Sequence, residues 1–261
     1  SMADMAAIEQ VEQCWDALGR VVPVEETVMP AVYVNSAAIL KAFCGEHGGL
    51  TCTSSNARKV IEWSWARREK ILFFPDEHLG RNTANKMGIP REQMIVWDPF
   101  MPRGGNSVEA IQRAKLILWK GHCSVHQMFQ PSHVDYFRKQ YPDVKVIVHP
   151  ECHEDVVNKA DLVGSTEYII RTITAAPAGT TWAVGTELNL VNRLKHEQTD
   201  KKVFFLSSTV CQCATMYRID APHLCWALEN LADGHVVNRI VVPDDEKQWA
   251  KVALDRMMAL S

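Results

Sequence analysis

The sequence lacks a long apolar run. No segment approaches the ~20 consecutive apolar residues a helix needs to span a bilayer, and the opening Ser1-Met2-Ala3-Asp4-Met5 has neither the basic stretch nor the apolar core of a secretory leader. Blocks of like charge are missing too: 28 Lys+Arg stand against 31 Asp+Glu, for a formal net charge of -3. Neither nucleic acid nor an anionic membrane surface finds an electrostatic footprint. Eight cysteines in 261 residues are too sparse for a disulfide scaffold. These absences predict a cytoplasmic protein with no nucleic-acid or membrane partner. What is present is 47% hydrophobic residues, enough for the packed core of one large or two modest domains and too many for a disordered chain.

Apolar, β-rich runs of strand length fall at 31–34, 71–74, 94–97, 116–119, 144–148, 182–184, 203–206 and 240–242. Helical patterns separate most of them, at 37–43, 56–68, 107–114, 132–140, 167–175, 187–195 and 221–231, and another covers 1–17. This alternation predicts an α/β fold of parallel sheets covered on both faces. Ligand residues are then expected just beyond the C-terminal ends of strands.

The chain also repeats itself. Tyr33-Val34-Asn35 closes a strand and Thr53-Ser54-Ser55-Asn56 opens a helix; His149-Pro150-Glu151 and Gly164-Ser165-Thr166-Glu167 do the same later. Each unit ends in a cysteine followed by a helix, Cys123 in the first and Cys213 in the second. Extended backwards, the repeat predicts that Ser1 follows a third cysteine and that about one unit precedes it. The chain is therefore expected to begin partway through a longer protein.

Three thiolates without a fourth protein ligand suit an iron–sulfur cluster with one open iron, which can act as a Lewis acid. Zinc stands beside it, held by His122, Cys123 and His126 or by Cys211 with Cys213. Cys14, Cys44 and Cys225, on helices, read as small buried hydrophobes, and Trp63, Trp65, Trp97, Trp119 and Trp226 as core residues. The two N-cap stretches, 53–56 and 164–166, are candidate anion sites. His149 and Glu151, two apart after a strand, can share a face and exchange a proton, with Tyr33 and Asn35 as hydrogen-bonding counterparts. Asp76, Glu77 and His78 read as a solvated loop end.

Tyr33-Val34-Asn35-Ser36, Cys52-Thr53-Ser54-Ser55-Asn56-Ala57, Gly121-His122-Cys123-Ser124-Val125-His126, His149-Pro150-Glu151-Cys152, Gly164-Ser165-Thr166 and Gly185-Thr186-Glu187 together resemble the successive motifs of the quinolinate synthase family. Their order and spacing match from about residue 1 to 255. The resemblance implies a pseudo-threefold arrangement of three-layer α/β/α domains with parallel sheets, the first domain largely missing here, around an oxygen-sensitive 4Fe-4S cluster. It implies condensation of iminoaspartate with dihydroxyacetone phosphate to quinolinate, releasing phosphate and water, in de novo NAD biosynthesis. Aspartate oxidase is the implied source of iminoaspartate.

Carried onto this sequence, the resemblance makes Cys123 and Cys213 the metal ligands, Cys213 being preferred to Cys211 because it stands three residues before Met216. Tyr33, Val34 and Asn35 would hold the dicarboxylate, Ser54 and Thr166 the carboxylates or phosphate, with Pro150 and Ser165 lining the site and His126 at its mouth. Glu151, His149 and Tyr33 would be catalytic, Glu151 as general base. The expected organisation is a second repeat unit at 1–122, a third at 123–243, and a C-terminal helix at 244–261 packing toward the missing first unit. Apolar surface is expected to be bare where that unit would sit, and the chain by itself should be inactive or nearly so. A zinc-dependent hydrolase or lyase, and a non-catalytic anion-binding module, are the competing readings.

Overall fold

The structure is a computed structural model and describes residues 5–260. Its strands are β1 (Val28–Tyr33), β2 (Leu50–Cys52), β3 (Lys70–Phe74), β4 (Met94–Trp97) and β5 (Leu116–Trp119), then β6 (Lys145–Val148), β7 (Leu162–Val163), β8 (Thr181–Gly185) and β9 (Lys202–Phe205). The first five form one sheet in the order β2-β1-β3-β5-β4 and the last four another in the order β7-β6-β8-β9. Every pairing is parallel. In both sheets the first strand is flanked by the next two, so the repeat seen in the sequence is also a repeat of strand order.

Alternation along the strands builds three layers. Met29, Ala31 and Tyr33 of β1 join Ile71 and Phe73 of β3 in one core, against Val60 and Ile61 of the Ala57–Trp65 helix and Leu79 of the Glu77–Lys86 helix. Their neighbours Val28, Val32, Leu72 and Phe74 face the opposite core, with Val11 and Leu18 of the Ile8–Gly19 helix and Leu40 and Phe43 of the Ala38–Glu46 helix. The second sheet divides in the same way: Val146 and Val148 lie on one face, Ile147, Trp182 and Val184 on the other. Strands buried on both faces need continuous apolar runs, which is how the sequence reads. The fold is the expected α/β class.

Several segments differ from expectation. Residues 240–242 form no strand; Ile240 is 85% exposed and no neighbouring strand pairs with the run. β2 and β7, of three and two residues, carry too little sequence to show a periodicity. The Asp76–His78 segment is no solvated loop: Asp76 caps the Glu77–Lys86 helix by accepting from the Leu79 N–H at 2.6 Å, and Asp76 and His78 are both buried. Of the helix expected over 1–17, the structure shows Ile8–Gly19, and residues 1–4 lie outside the described residues. Cys14, Cys44, Trp97 and Trp119 are buried, and Trp63 and Trp65 pack partly buried against a core. Cys225 and Trp226 are exposed instead. Their Ala221–Ala232 helix has no buried residue and leaves Leu224, Leu228 and Leu231 bare.

The segment 244–261, expected to face a missing unit, supplies the Asp244–Met258 helix, which lies against the Ala38–Glu46 helix and β2. Arg256 donates to the Gly45 and Gly49 carbonyls at 3.1 and 2.6 Å. Gly45 has no room for a side chain, because a Cβ there would run into the Trp249 carbonyl. The close crossing therefore depends on the absence of a Cβ.

Candidate functional site

The C-terminal ends of β1 and β6 deliver the chemistry, as parallel sheets lead one to expect. β1 ends at Tyr33, which is buried, whereas Val34 is half-buried and Asn35 exposed in the following turn. β6 ends at Val148; the His149 N–H continues the ladder to the Gly185 carbonyl at 3.0 Å, and Cys152 N–H then closes a turn onto the His149 carbonyl at 3.0 Å. This turn carries His149 and Glu151, which are 3% and 4% exposed.

A carboxylate so deeply buried needs partners. His126, on the short Ser124–Gln127 helix, places Nδ1 3.0 Å from Glu151 Oε2 and Nε2 3.3 Å from the Thr186 hydroxyl. The Tyr33 phenol hydrogen-bonds with Glu151 and with Ser54. His149 stacks on His126, with ring centroids 4.6 Å apart, and its Nδ1 accepts from the Glu151 backbone N–H at 3.3 Å.

Burial works against charge on His126, but the close Cys123 thiol and Glu151 carboxylate outweigh this and carry it up to about 10. Burial likewise opposes the Glu151 carboxylate, yet the close His126 ring, with His149 and the Tyr33 phenol, holds it well below the usual carboxylate range. His149, desolvated and stacked on His126, is pushed down to about 3. Burial and the neighbouring Glu151 raise Asp76, whose Oδ2 has no hydrogen-bond partner. Burial raises the Tyr33 phenol far above its ordinary value.

Cys123 and Cys213 pack into one apolar cluster with Tyr33 and Cys52, although 90 residues separate them. The Cys213 thiol lies 3.1 Å from the Thr215 hydroxyl. Cys211 is only half-buried, and its N–H points to the Met128 sulfur at 3.3 Å. His122 does not join Cys123 and His126; its ring sits 6.5 Å from that of His78. Among the described residues, Cys123, His126 and Glu151 are the set whose donor atoms all lie within 4.8 Å of one another.

A cleft of about 410 Å³ opens beside this cluster, lined by Ser54 after β2, Pro150 after β6 and Gly164 and Ser165 after β7, with Arg58, Lys86 and Arg171 supplying positive charge. Ser165 caps the Thr166–Ala175 helix by accepting from Tyr168 N–H at 3.3 Å. Thr166 is exposed and does not line the cleft. Asn56 caps no helix: its Oδ1 accepts from Thr53 N–H at 2.8 Å, so 53–56 is a self-bonded turn. The structure thus gathers Tyr33, Ser54, Cys123, His149 and Glu151 and leaves Asn35 and Thr166 apart. Sequence reasoning missed Asp76, Thr186 and Asn82. The aspartate three residues before Leu79 was the available signal for the first.

A model of the family described as quinolinate synthetase A protein matches residues 1–259. The chain is 59% identical over 261 residues to a quinolinate synthase of Rhodopirellula baltica, covering all of this chain and 66% of that protein. It is 57% identical over 262 residues to one from Acidobacterium capsulatum, with 100% and 70% covered, and 55% identical over 267 residues to one from a Nocardioides species, with 100% and 68% covered. The chain spans about two thirds of the length of these curated relatives. Among the described residues no helix is long and apolar enough to cross a membrane. The motifs at the ends of β1 and β6, the two cysteine turns and the matches along the whole chain agree: the chain belongs to the quinolinate synthetase A protein family.

Proposed function

We propose that this chain is the greater part of an enzyme that condenses iminoaspartate with dihydroxyacetone phosphate to quinolinate, releasing phosphate and water, in the cytoplasm and in de novo NAD biosynthesis. The observation that carries this reading is the buried Tyr33–Glu151–His126 constellation beside the Cys123 thiol, in a core cluster that also includes Cys213. Aspartate oxidase is the proposed supplier of iminoaspartate.

The donor set fits an iron–sulfur cluster: Cys123 and Cys213 are both buried and belong to the same apolar cluster, and soft thiolates in apolar surroundings suit such clusters. Met5 packs in the same apolar cluster, near Gly121. A cysteine directly ahead of Ser1 would lie within about 18 Å of extended chain from there. Cys123 and Cys213 would hold a 4Fe-4S cluster together with that third cysteine. When bound, the cluster supplies Lewis acidity at an open iron.

The chain's own residues do the rest. Ser54, Ser165 and the cationic rim of the cleft receive the carboxylates or phosphate, and Tyr33 donates to whatever replaces its present partners. Thr166 and Asn35, with Val34 and Pro150, remain proposed contributors to substrate binding at the turns they occupy. Because Nδ1 of His149 accepts a hydrogen bond, its proton rests on Nε2, which makes a neutral donor. Glu151 is the proposed base, and His126, 3.0 Å away, helps keep it ionised, so the pair is the functional unit. Helix Ala221–Ala232, with its bare apolar side chains, is the proposed seat of the first unit. Units 1–122 and 123–243 are the proposed second and third repeats.

The test is to supply the longer protein, prepared anaerobically, with iminoaspartate generated in place and dihydroxyacetone phosphate. Quinolinate by chromatography, together with iron and acid-labile sulfide, is the expected result. Zinc without sulfide and no quinolinate would overturn the reading in favour of a zinc enzyme.

A further inference from the structure

We infer that the cluster-free chain carries a site for one divalent transition-metal ion, built from the Cys123 thiolate, His126 Nδ1 and a Glu151 carboxylate oxygen. All three residues are buried, and their donor atoms lie within 4.8 Å of one another. Sulfur, imidazole and carboxylate together are a zinc-type ligand set, three protein ligands leaving a fourth position open.

The arrangement at His126 is the second observation. Its Nδ1 lies 3.0 Å from Glu151 Oε2, yet this nitrogen is buried without a directed hydrogen-bond partner. A carboxylate oxygen held this close to a ring nitrogen that makes no hydrogen bond can instead share a third centre with it. Nitrogen and oxygen each about 2.0–2.1 Å from one zinc ion stand about 3.0–3.4 Å apart at tetrahedral or slightly compressed angles. The opposite ring nitrogen, Nε2, faces the Thr186 hydroxyl at 3.3 Å. That contact can keep the ring proton on Nε2 and leave the Nδ1 lone pair for metal, the usual outer-shell arrangement for a ligating histidine. The Oδ2 of buried Asp76 also has no hydrogen-bond partner, and this carboxyl is close enough to feel both Glu151 and His126.

The site differs from the proposed cluster site in using a nitrogen and an oxygen donor and in dispensing with Cys213. It shares Cys123, so one ion here excludes cluster assembly. That exclusion rests on the cluster reading; metal binding itself does not.

The test titrates the reduced, metal-free chain with cobalt(II) under anaerobic conditions. The expected result is one equivalent bound with a thiolate-to-cobalt charge-transfer band, lost in Cys123→Ser, kept in Cys213→Ser and Cys211→Ser, and weakened at least tenfold in affinity by His126→Ala or Glu151→Gln. A band that survives Cys123→Ser, or that vanishes with Cys213→Ser, would overturn the assignment. X-ray absorption of the zinc-loaded unmutated chain gives an answer should a variant fail to fold: one sulfur with nitrogen and oxygen scatterers supports the site, and two sulfurs or none refutes it. For exclusion, the longer protein preloaded with zinc should take up iron and sulfide only after chelation. Equal uptake with and without zinc would refute exclusion, whereas no uptake under any condition would sink the cluster reading and leave the cobalt result standing.

Discussion

The Asn82 side-chain amide donates to the carbonyls of Pro150 and Cys152, both at 2.8 Å, and so ties the Glu77–Lys86 helix of the first sheet to the turn that carries Glu151. Asn82 is buried, as are Pro150 and Cys152. Replacing it with Ala strands two buried carbonyls, at a cost of about 1–3 kcal/mol each if neither finds water. The expected result for Asn82→Ala is a lower urea midpoint with an unchanged slope, and a loss of turnover in the longer protein larger than any loss of substrate affinity.

Glu151→Gln keeps the size of the side chain and removes the charge that pairs with His126. Turnover of the longer protein should fall about 10²–10⁴-fold, the range for loss of a positioned base, with substrate binding nearly unchanged. Full activity in this variant would take the base role away from Glu151.

Cys123→Ser and Cys213→Ser should each abolish retention of iron and acid-labile sulfide in the anaerobically prepared longer protein. Cys211→Ser should retain both, since Cys211 is only half-buried and stands outside the apolar cluster that holds the other two thiols.

His78 gives a pH signature outside the metal ligands. Burial lowers its pKa, Glu77 and the Gln127 hydrogen bond counter this, and His153 and His122 add to the lowering. A histidine depressed on folding contributes stability that is complete above its unfolded value of about 6.5 and is lost as pH falls below it. Between about pH 7.5 and about pH 5.5 the chain should therefore lose stability, and His78→Gln should lose less. Urea midpoints at the two pH values measure the difference.

Much of this was legible in the residues because each piece had a local signature. Strands buried on both faces announce themselves as apolar runs, and the parallel motifs at Tyr33 and His149 mark equivalent strand ends. His126 was visible only as a residue at the mouth; its role depends on Glu151, 25 positions away, and no periodicity encodes that contact. Asp76 was misread because a charged triplet suggests solvent, whereas the cap it makes and the neighbours it meets bury it. Thr166 and Ser54 match by repeat position; Ser54 and Ser165 line the cleft and Thr166 is exposed beside them, a difference of one position that a repeat does not encode.

The Asp244–Met258 helix returns from the far end of the chain to complete the core around the first sheet, with Arg256 bound to a carbonyl 211 positions earlier. The second sheet is thus an excursion between two parts of one packing unit. On the ribosome, residues 28–119 would emerge with an apolar flank still waiting for its cover, while the later sheet could close first. Removing the Asp244–Met258 helix should therefore injure the first sheet more than the second, and a nascent chain arrested before it would be a form in need of a chaperone.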